Sequence, residues 1–156
     1  GGSVFNILLM EVFLALTLID YKYLLLPDSI IVFGVLATLI FKWPAVSNLL
    51  TAVGLFLFFF LIWFFSRGRW LGLGDAKLAF LVGLIFGPVM AICAIYTAII
   101  SGALVALGLL VFKKANLKTK LPFGSFISLS AILYFFAGNG IINRLGSFYR
   151  IFLIFK

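Results

Sequence analysis

The sequence predicts an all-α membrane protein, a single polytopic bundle of about six transmembrane helices. Of its 156 residues, 65% are hydrophobic and 10% are charged, whereas a soluble domain has about 25% charged residues. One small soluble core cannot bury so much apolar surface, so the chain is expected to lie in lipid. Long apolar runs interrupted by short polar, proline or glycine breaks define the six helices.

The first half of the chain contains three predicted helices: helix 1 over Val4–Ile19, helix 2 over 28–41 and helix 3 over Asn48–Phe65. Helix 1 is expected to end before Leu26-Pro27, because the residue before a proline avoids the α-helical region. Asp28 or Ser29 is expected to cap helix 2, which is short for a full span.

The second half contains three more: helix 4 from Asp75 to about Phe86, helix 5 over Val89–Phe112 and helix 6 from Pro122 to about Ala137. Gly87-Pro88 should separate helices 4 and 5. We interpret residues 1–3 as a cloning remnant and residues 4–137 as one membrane domain. The tail, 138–156, contains an apolar stretch at 148–155 that is a candidate interfacial helix.

The basic residues indicate an orientation in the membrane. The net charge is +8, but its clusters lie at the ends of apolar runs, which is typical of membrane topology and not of nucleic-acid binding. With the N-terminus outside, the inner side carries eight of them: Lys22, Arg67, Arg69, Lys77, Lys113, Lys114, Lys118 and Lys120. The outer side carries four: Lys42, Arg144, Arg150 and Lys156. The positive-inside rule therefore favours the orientation with the N-terminus outside, and we expect a multi-pass protein of the inner membrane.

The same orientation places Asp20, Asp28 and Asp75 together at the cytoplasmic face. An ionised carboxylate in hydrocarbon is costly, so each of these acids is a candidate functional residue. Two facing carboxylates share one proton, and such a pair can add water to a peptide carbonyl. We interpret Asp75 as the base and Asp20 as the acid, in a pair that titrates as a unit.

Each of these acids also has a structural interpretation. Asp75 could be a plain helix cap, Asp20 a polar residue emerging at the interface, and Asp28 chiefly the cap of helix 2. Glu11 in helix 1 could form a buried hydrogen bond or belong to a second site. The chain has one cysteine, Cys93, and no histidine, which excludes an internal disulfide, a Cys-rich zinc site and His-based chemistry. We expect no metal and no cofactor.

Two further stretches are candidates for supporting the acids. Gly72 and Gly74 are either turn residues or positions where a backbone without Cβ lets an extended substrate approach Asp75. Pro122-Phe123-Gly124 is either an ordinary helix start or part of the site.

In combination these stretches resemble the type IV prepilin peptidases, which are membrane aspartyl proteases of the Gly-x-Gly-Asp type. The matching segments are Ile19-Asp20, Leu26-Pro27-Asp28-Ser29, Gly72-Leu73-Gly74-Asp75-Ala76-Lys77-Leu78 and Leu121-Pro122-Phe123-Gly124. Their order and spacing fit the family over residues 4–137. The resemblance implies an enzyme that removes the short basic leader of type IV pilin-like precursors. In that family the cut falls after a glycine on the cytoplasmic side, just before the hydrophobic segment of the precursor.

The resemblance also implies roles for residues. Asp20 and Asp75 are the implied catalytic pair. The implied substrate-binding or site-supporting residues are Asp28, Gly72, Gly74, Lys77, Pro122, Phe123 and Gly124. The implied partners are a prepilin or pseudopilin precursor of a pilus or secretion system, together with membrane lipid. The paired-cysteine segment that accompanies N-methylation in many relatives is not present, so we expect cleavage without methylation.

Two other classes of function compete with this interpretation. A small transporter or proton-relay bundle would use the same carboxylates, but should distribute them across the membrane depth or within an inverted repeat. A non-catalytic membrane scaffold would leave the Gly-x-Gly-Asp and Pro-Phe-Gly stretches unexplained.

Overall fold

The computed structural model describes residues 2–112 and 121–137. These residues form five helices: α1 Gly2–Tyr23, α2 Asp28–Phe41, α3 Val46–Ser66, α4 Leu73–Val111 and α5 Phe123–Ala137. The predicted all-α membrane bundle is confirmed. Three helices, α1, α3 and α4, are long and apolar enough to cross a membrane, so the number of about six crossings stays a prediction. The basic loop at 113–120 and the tail lie outside the described residues.

The long helix α4 folds back on itself at Gly87, so that it has two arms, 73–86 and 88–111. Leu26 lies against both Gly74 at the start of the first arm and Gly124 at the start of α5. Gly102 in the second arm faces Phe126, also near the start of α5. Phe86, by contrast, packs on Phe135 near the other end of α5, with ring centroids 4.9 Å apart.

The reversal at Gly87 has a local cause and a compensating contact. Pro88 has no N–H, so it cannot bond to the carbonyl of Leu84 four residues earlier. The Asn48 side chain of α3 donates to that carbonyl instead, with Nδ2 and O 3.1 Å apart. Gly87 has φ +73°, and a Cβ there would lie 2.6 Å from Asn48 Oδ1. The predicted break at Gly87-Pro88 is therefore confirmed, and glycine is required at its first position.

The first arm of α4 forms the centre of the bundle. Its Leu78, Leu81 and Val82 are fully buried. At Gly83 a Cβ would lie 2.6 Å from the Cα of Ala52, so the backbones of α3 and α4 touch at this point. Small residues are the usual means of such close approach in membranes, where packing rather than the hydrophobic effect joins helices.

The bundle therefore has two distinct ends. At the acid end, which we define by Asp20, Asp28 and Asp75, α1 and α3 end while α2, α4 and α5 begin. At the far end, which we define by Asn48 and Gly87, α3 begins and α4 reverses. The acid end contains the candidate site.

Candidate active site

Asp20 lies in the last turn of α1 and is buried, with 5% of its surface exposed. Its Oδ2 accepts a hydrogen bond from the backbone N–H of Ser125 at 2.6 Å and lies 3.1 Å from the Ser125 hydroxyl. The acid thus faces inward onto the first turn of α5. The interpretation of Asp20 as a polar residue emerging at the interface is not what the structure shows.

Asp75 is also buried, with 8% exposed. It was predicted as the first residue of its helix, and this was wrong: α4 begins at Leu73, with Gly72 as its N-cap. Asp75 is the third residue, and its Oδ2 accepts the N–H of Gly72 at 3.0 Å. A carboxylate at this position bonds back to the cap residue, which is the second half of a capping box. The same carboxylate therefore closes the helix end and faces the site.

The two carboxylates line a single cavity of about 300 Å³. Its walls are formed by the chain after α1 and by the first turn of α4: Asp20, Leu24, Leu25, Leu26, Asp28, Gly72, Leu73, Gly74, Asp75 and Lys77. The two acids are close enough for the charge on Asp20 to act on Asp75. The predicted convergence of Asp20, Asp28 and Asp75 is thus present in the structure.

The side chain of Leu26 leaves no room for a Cβ at two of the site glycines, Gly74 and Gly124. A Cβ at Gly74 would lie 2.9 Å from Leu26 Cβ, and one at Gly124 would lie 2.8 Å from Leu26 Cδ1. Leu26 is buried between the two helix starts and holds them beside each other. The space next to Gly74 is therefore filled by the protein itself. That Gly72 and Gly74 also admit a substrate backbone stays a prediction.

Asp28 and Lys77 form the one ion pair among the described residues, with Nζ and Oδ2 2.7 Å apart. The pair is partly in solvent, since the side chains of Lys77 and Asp28 are 35% and 64% exposed. The prediction that Asp28 or Ser29 caps α2 was wrong: the N-cap is Pro27, and no side chain bonds there. Asp28 is instead the first residue of α2, and it ties that helix to α4.

The Pro-Phe-Gly stretch forms the start of α5. Phe123 is its first residue and packs on Phe59 of α3, with centroids 6.1 Å apart. Pro122 precedes the helix, and its carbonyl lies 3.2 Å from the N–H of Ser125. At Gly124 a Cβ would lie 3.0 Å from Asp20 Oδ2, so the glycine permits α5 to approach the acid.

Ser125 is the residue that the sequence interpretation missed. Its neighbours at 122–124 were selected as a motif, yet the direct contacts to Asp20 come from Ser125. A serine three residues after the proline that opens the predicted helix, directly after that motif, is the signal that could have found it.

Glu11 lies apart from these residues. It is exposed on α1 and does not line the cavity of Asp20 and Asp75. The three aspartates therefore cluster at one end, and Glu11 is the one acid outside that cluster. Within residues 2–112 and 121–137, no three His, Cys, Asp or Glu side chains are grouped so as to hold a metal ion.

Comparison with known proteins identifies a family. The model of the type IV leader peptidase family matches residues 7–107, a range that contains Asp20, Asp28, Gly72–Asp75 and Lys77. No curated protein and no solved structure gives a significant match to the chain. Because the family match covers more than half of the 156 residues, and three helices are able to span a membrane, the chain belongs to the type IV leader peptidase family and is a membrane peptidase.

Proposed function

We propose that the protein is an aspartyl endopeptidase that removes the short basic leader from type IV prepilin-like precursors at the cytoplasmic face of the inner membrane. The observation that carries the proposal is the burial of Asp20 and Asp75 on one cavity at the acid end. Two carboxylates that share a low-dielectric cavity favour a state with one proton between them. Such a pair supplies a base and an acid together.

The two carboxylates divide the chemistry of peptide hydrolysis. The ionised carboxylate takes a proton from water, and the water oxygen attacks the carbonyl carbon of the scissile bond. The protonated carboxylate donates to the carbonyl oxygen, where negative charge develops. A proton then passes to the leaving amine as the C–N bond breaks. The assignment of Asp75 as base and Asp20 as acid stays a prediction.

The size of the cavity is compatible with this reaction. Its volume is about 300 Å³, whereas one water occupies about 30 Å³ in the liquid. It therefore has room for a water molecule and a short stretch of extended peptide. The Asp28–Lys77 pair lies at its edge, where a substrate would enter from the membrane surface.

An apolar groove supports a substrate with a hydrophobic segment. The groove has a volume of about 400 Å³ and begins at the Asp28–Lys77 pair. It runs between α2, α3 and the first arm of α4, along Ile31, Val32, Val35, Leu36, Phe56 and Phe80. Because it shares Asp28 and Lys77 with the site cavity, a chain crossing the pair passes from a polar site into an apolar one. A hydrophobic segment directly after the cleavage point would fit that change.

A cleavage assay tests the proposal directly. The detergent-solubilised protein is mixed with a prepilin that has a basic leader, and the products are identified by mass spectrometry. We expect one cut, after the glycine that precedes the hydrophobic segment. The Asp75→Asn protein, purified in parallel, controls for a contaminating protease. An intact precursor at equimolar enzyme would contradict the proposal.

Cysteine labelling tests the proposed orientation. In a Cys93→Ala background, Trp43→Cys marks the far end and Lys118→Cys marks the basic loop. We expect a membrane-impermeant thiol reagent to label position 43 in intact cells and position 118 only after permeabilisation. Labelling of position 118 from outside would overturn the cytoplasmic placement of the active site.

A further inference from the structure

Both acids accept hydrogen bonds at helix starts whose cap residues have no side-chain oxygen. The first N–H groups of a helix lack intrahelical partners, and the cap residue usually supplies an oxygen to one of them. The cap of α4 is Gly72 and the residue before α5 is Pro122, neither of which has such an oxygen. Asp75 accepts the N–H of Gly72, and Asp20 accepts the N–H of Ser125.

Asp20 thus occupies, from a different helix, the place of the missing N-cap side chain of α5. The N–H of Ser125, the third residue of α5, lies 2.6 Å from Asp20 Oδ2 but 3.2 Å from the carbonyl of Pro122. An N-cap oxygen normally accepts the N–H of this third position. The carboxylate is therefore the nearer of the two acceptors.

The Ser125 hydroxyl adds a second connection to α1. It lies 3.1 Å from Asp20 Oδ2 and 3.1 Å from the carbonyl of Thr17, one turn earlier in α1. A hydroxyl has one proton, so it donates to one of these oxygens at a time. Either arrangement connects the last turn of α1 to α5, and Ser125 itself is buried.

We propose that Ser125 is a positioning residue, which holds the Asp20 carboxylate in place through its backbone N–H and its hydroxyl, and that Pro122 serves this arrangement by offering no rival side-chain acceptor. The inference rests on the proposed aspartyl peptidase function. It gives the Pro-Phe-Gly stretch a physical role: Pro122 offers the Ser125 N–H only its backbone carbonyl, and Gly124 lets that N–H approach Asp20.

The first test separates positioning from stability. Ser125→Ala removes the hydroxyl and keeps the N–H. Ser130→Ala is the matched control, because Ser130 lies in the same helix, is equally buried at 5% exposed, and bonds to its own helix at Ile127. We expect Ser125→Ala to lower kcat about tenfold, as the loss of one buried hydrogen bond allows. Its KM should stay within about twofold of the wild type, and Ser130→Ala should keep the wild-type kcat. Wild-type kcat in folded Ser125→Ala would overturn the role of the hydroxyl.

The second test gives opposite signs for positioning and for simple helix capping. Pro122→Ser supplies a local oxygen for the N–H of Ser125, whereas Pro122→Ala removes the ring without supplying one. Serine is the better cap, so a merely structural role predicts a more stable and equally active Ser variant. Positioning predicts that Pro122→Ser has a lower kcat than Pro122→Ala, by about threefold or more. Equal kcat values, or a faster Ser variant, would overturn the proposal.

The proposed function and the positioning role of Ser125 can be disproved separately. No cleavage by the wild-type protein would remove the proposed function, and the positioning role with it. Cleavage by the wild type, with kcat unchanged in both Ser125→Ala and Pro122→Ser, would remove only the positioning role. If Ser125→Ala does not fold, the pair of Pro122 variants decides.

Discussion

At both ends of the bundle a backbone group without a helical partner bonds to a side chain, but the partners differ in charge. At the far end, the carbonyl freed by Pro88 accepts a hydrogen bond from the neutral amide of Asn48. At the acid end, the N–H groups of Gly72 and Ser125 donate to the carboxylates of Asp75 and Asp20. A neutral partner is sufficient to hold a helix end together. Buried carboxylates are a costly choice for that purpose, which points to chemistry as their reason.

The comparison predicts that the two ends respond in opposite ways to substitution. Changes to the carboxylates should remove activity and spare the fold. Changes to the amide should weaken the fold and spare the activity of the molecules that remain folded.

The largest effect is expected for the carboxylates. Asp20→Asn and Asp75→Asn should each lower cleavage by at least about 10³-fold, because an amide cannot exchange the shared proton. Thermal unfolding should change little, since asparagine has nearly the same size and still accepts the N–H bonds. The measurement is prepilin cleavage by each purified variant, with unfolding followed on the same samples.

The double variant sharpens this prediction. Residues that act as a unit are not additive, so Asp20→Asn combined with Asp75→Asn should be no worse than either change alone. Substantial turnover by the Asp75→Asn protein would end the aspartyl protease interpretation and return the transporter hypothesis to consideration.

The second effect is expected at the far end. Asn48→Ala leaves the carbonyl of Leu84 without its donor, which should cost about 1–3 kcal/mol of stability. Thr51→Ala is the control on the same helix, because the Thr51 hydroxyl bonds only to the carbonyl of Ser47 one turn earlier. We expect a lower unfolding temperature for Asn48→Ala alone, with unchanged kcat per folded molecule. A large loss of kcat at full stability would show that the two ends are coupled.

A smaller effect is expected for Asp28. Its ion pair with Lys77 is partly in solvent, since the side chains of Lys77 and Asp28 are 35% and 64% exposed. Exposed ion pairs contribute about 0–1 kcal/mol to stability. Asp28→Asn should therefore retain a cleavage rate within about fivefold of the wild type. The control is the neighbouring Ser29→Ala, which should cleave at the wild-type rate. The assay is the same prepilin cleavage. If Asp28→Asn is as inactive as Asp75→Asn, Asp28 takes part in the chemistry.

The smallest effect is expected in the basic loop at 113–120. Its lysines and the leader of the proposed substrate have the same sign of charge, so they should repel each other. We expect Lys113→Gln with Lys114→Gln to leave cleavage of a basic-leader substrate unchanged. The protein should instead cleave the substrate faster in liposomes with anionic headgroups than in neutral liposomes, because the basic leader binds the anionic lipid. A clear loss of cleavage on neutralising the two lysines would contradict this.

Local chemistry in the sequence was sufficient to predict much of the fold. Leu26-Pro27 predicted the break between α1 and α2, and Gly87-Pro88 predicted the break within α4. The acids were found because four carboxylates in a highly apolar chain are conspicuous. The start of α4 was misplaced by two residues, since Asp75 can serve as a cap or as the third residue of a helix with similar local preference.

The contacts between distant segments could not be predicted in this way. Ser125 and Asp20 are 105 residues apart, so nothing in the local pattern of either one indicates the other. Leu26 is one leucine in a run of three, and only the packing of α4 and α5 shows that it fills the space left by Gly74 and Gly124. Such roles depend on how helices meet, which propensity and periodicity do not specify.

The helices that begin at the acid end are short. α2 has 14 residues, and the arm of α4 from Leu73 to Phe86 is of the same length. At 1.5 Å per residue each extends about 21 Å, whereas the hydrocarbon core of a bilayer is about 30 Å thick. The helix α1, which ends there, has 22 residues and is long enough to cross.

This unequal length implies a hydrophobic mismatch. If Lys42 and Trp43 mark the headgroup level at the far end, the mismatch lies at the acid end, where the start of α2 is about 9 Å short of the opposite boundary of the hydrocarbon core. A bilayer meets such a deficit by thinning locally or by admitting water beside the short helices. Either response hydrates the recess around Asp20 and Asp75. Hydrolysis consumes water as well as peptide, and the short helices bring that second reactant to carboxylates that would otherwise lie in oil.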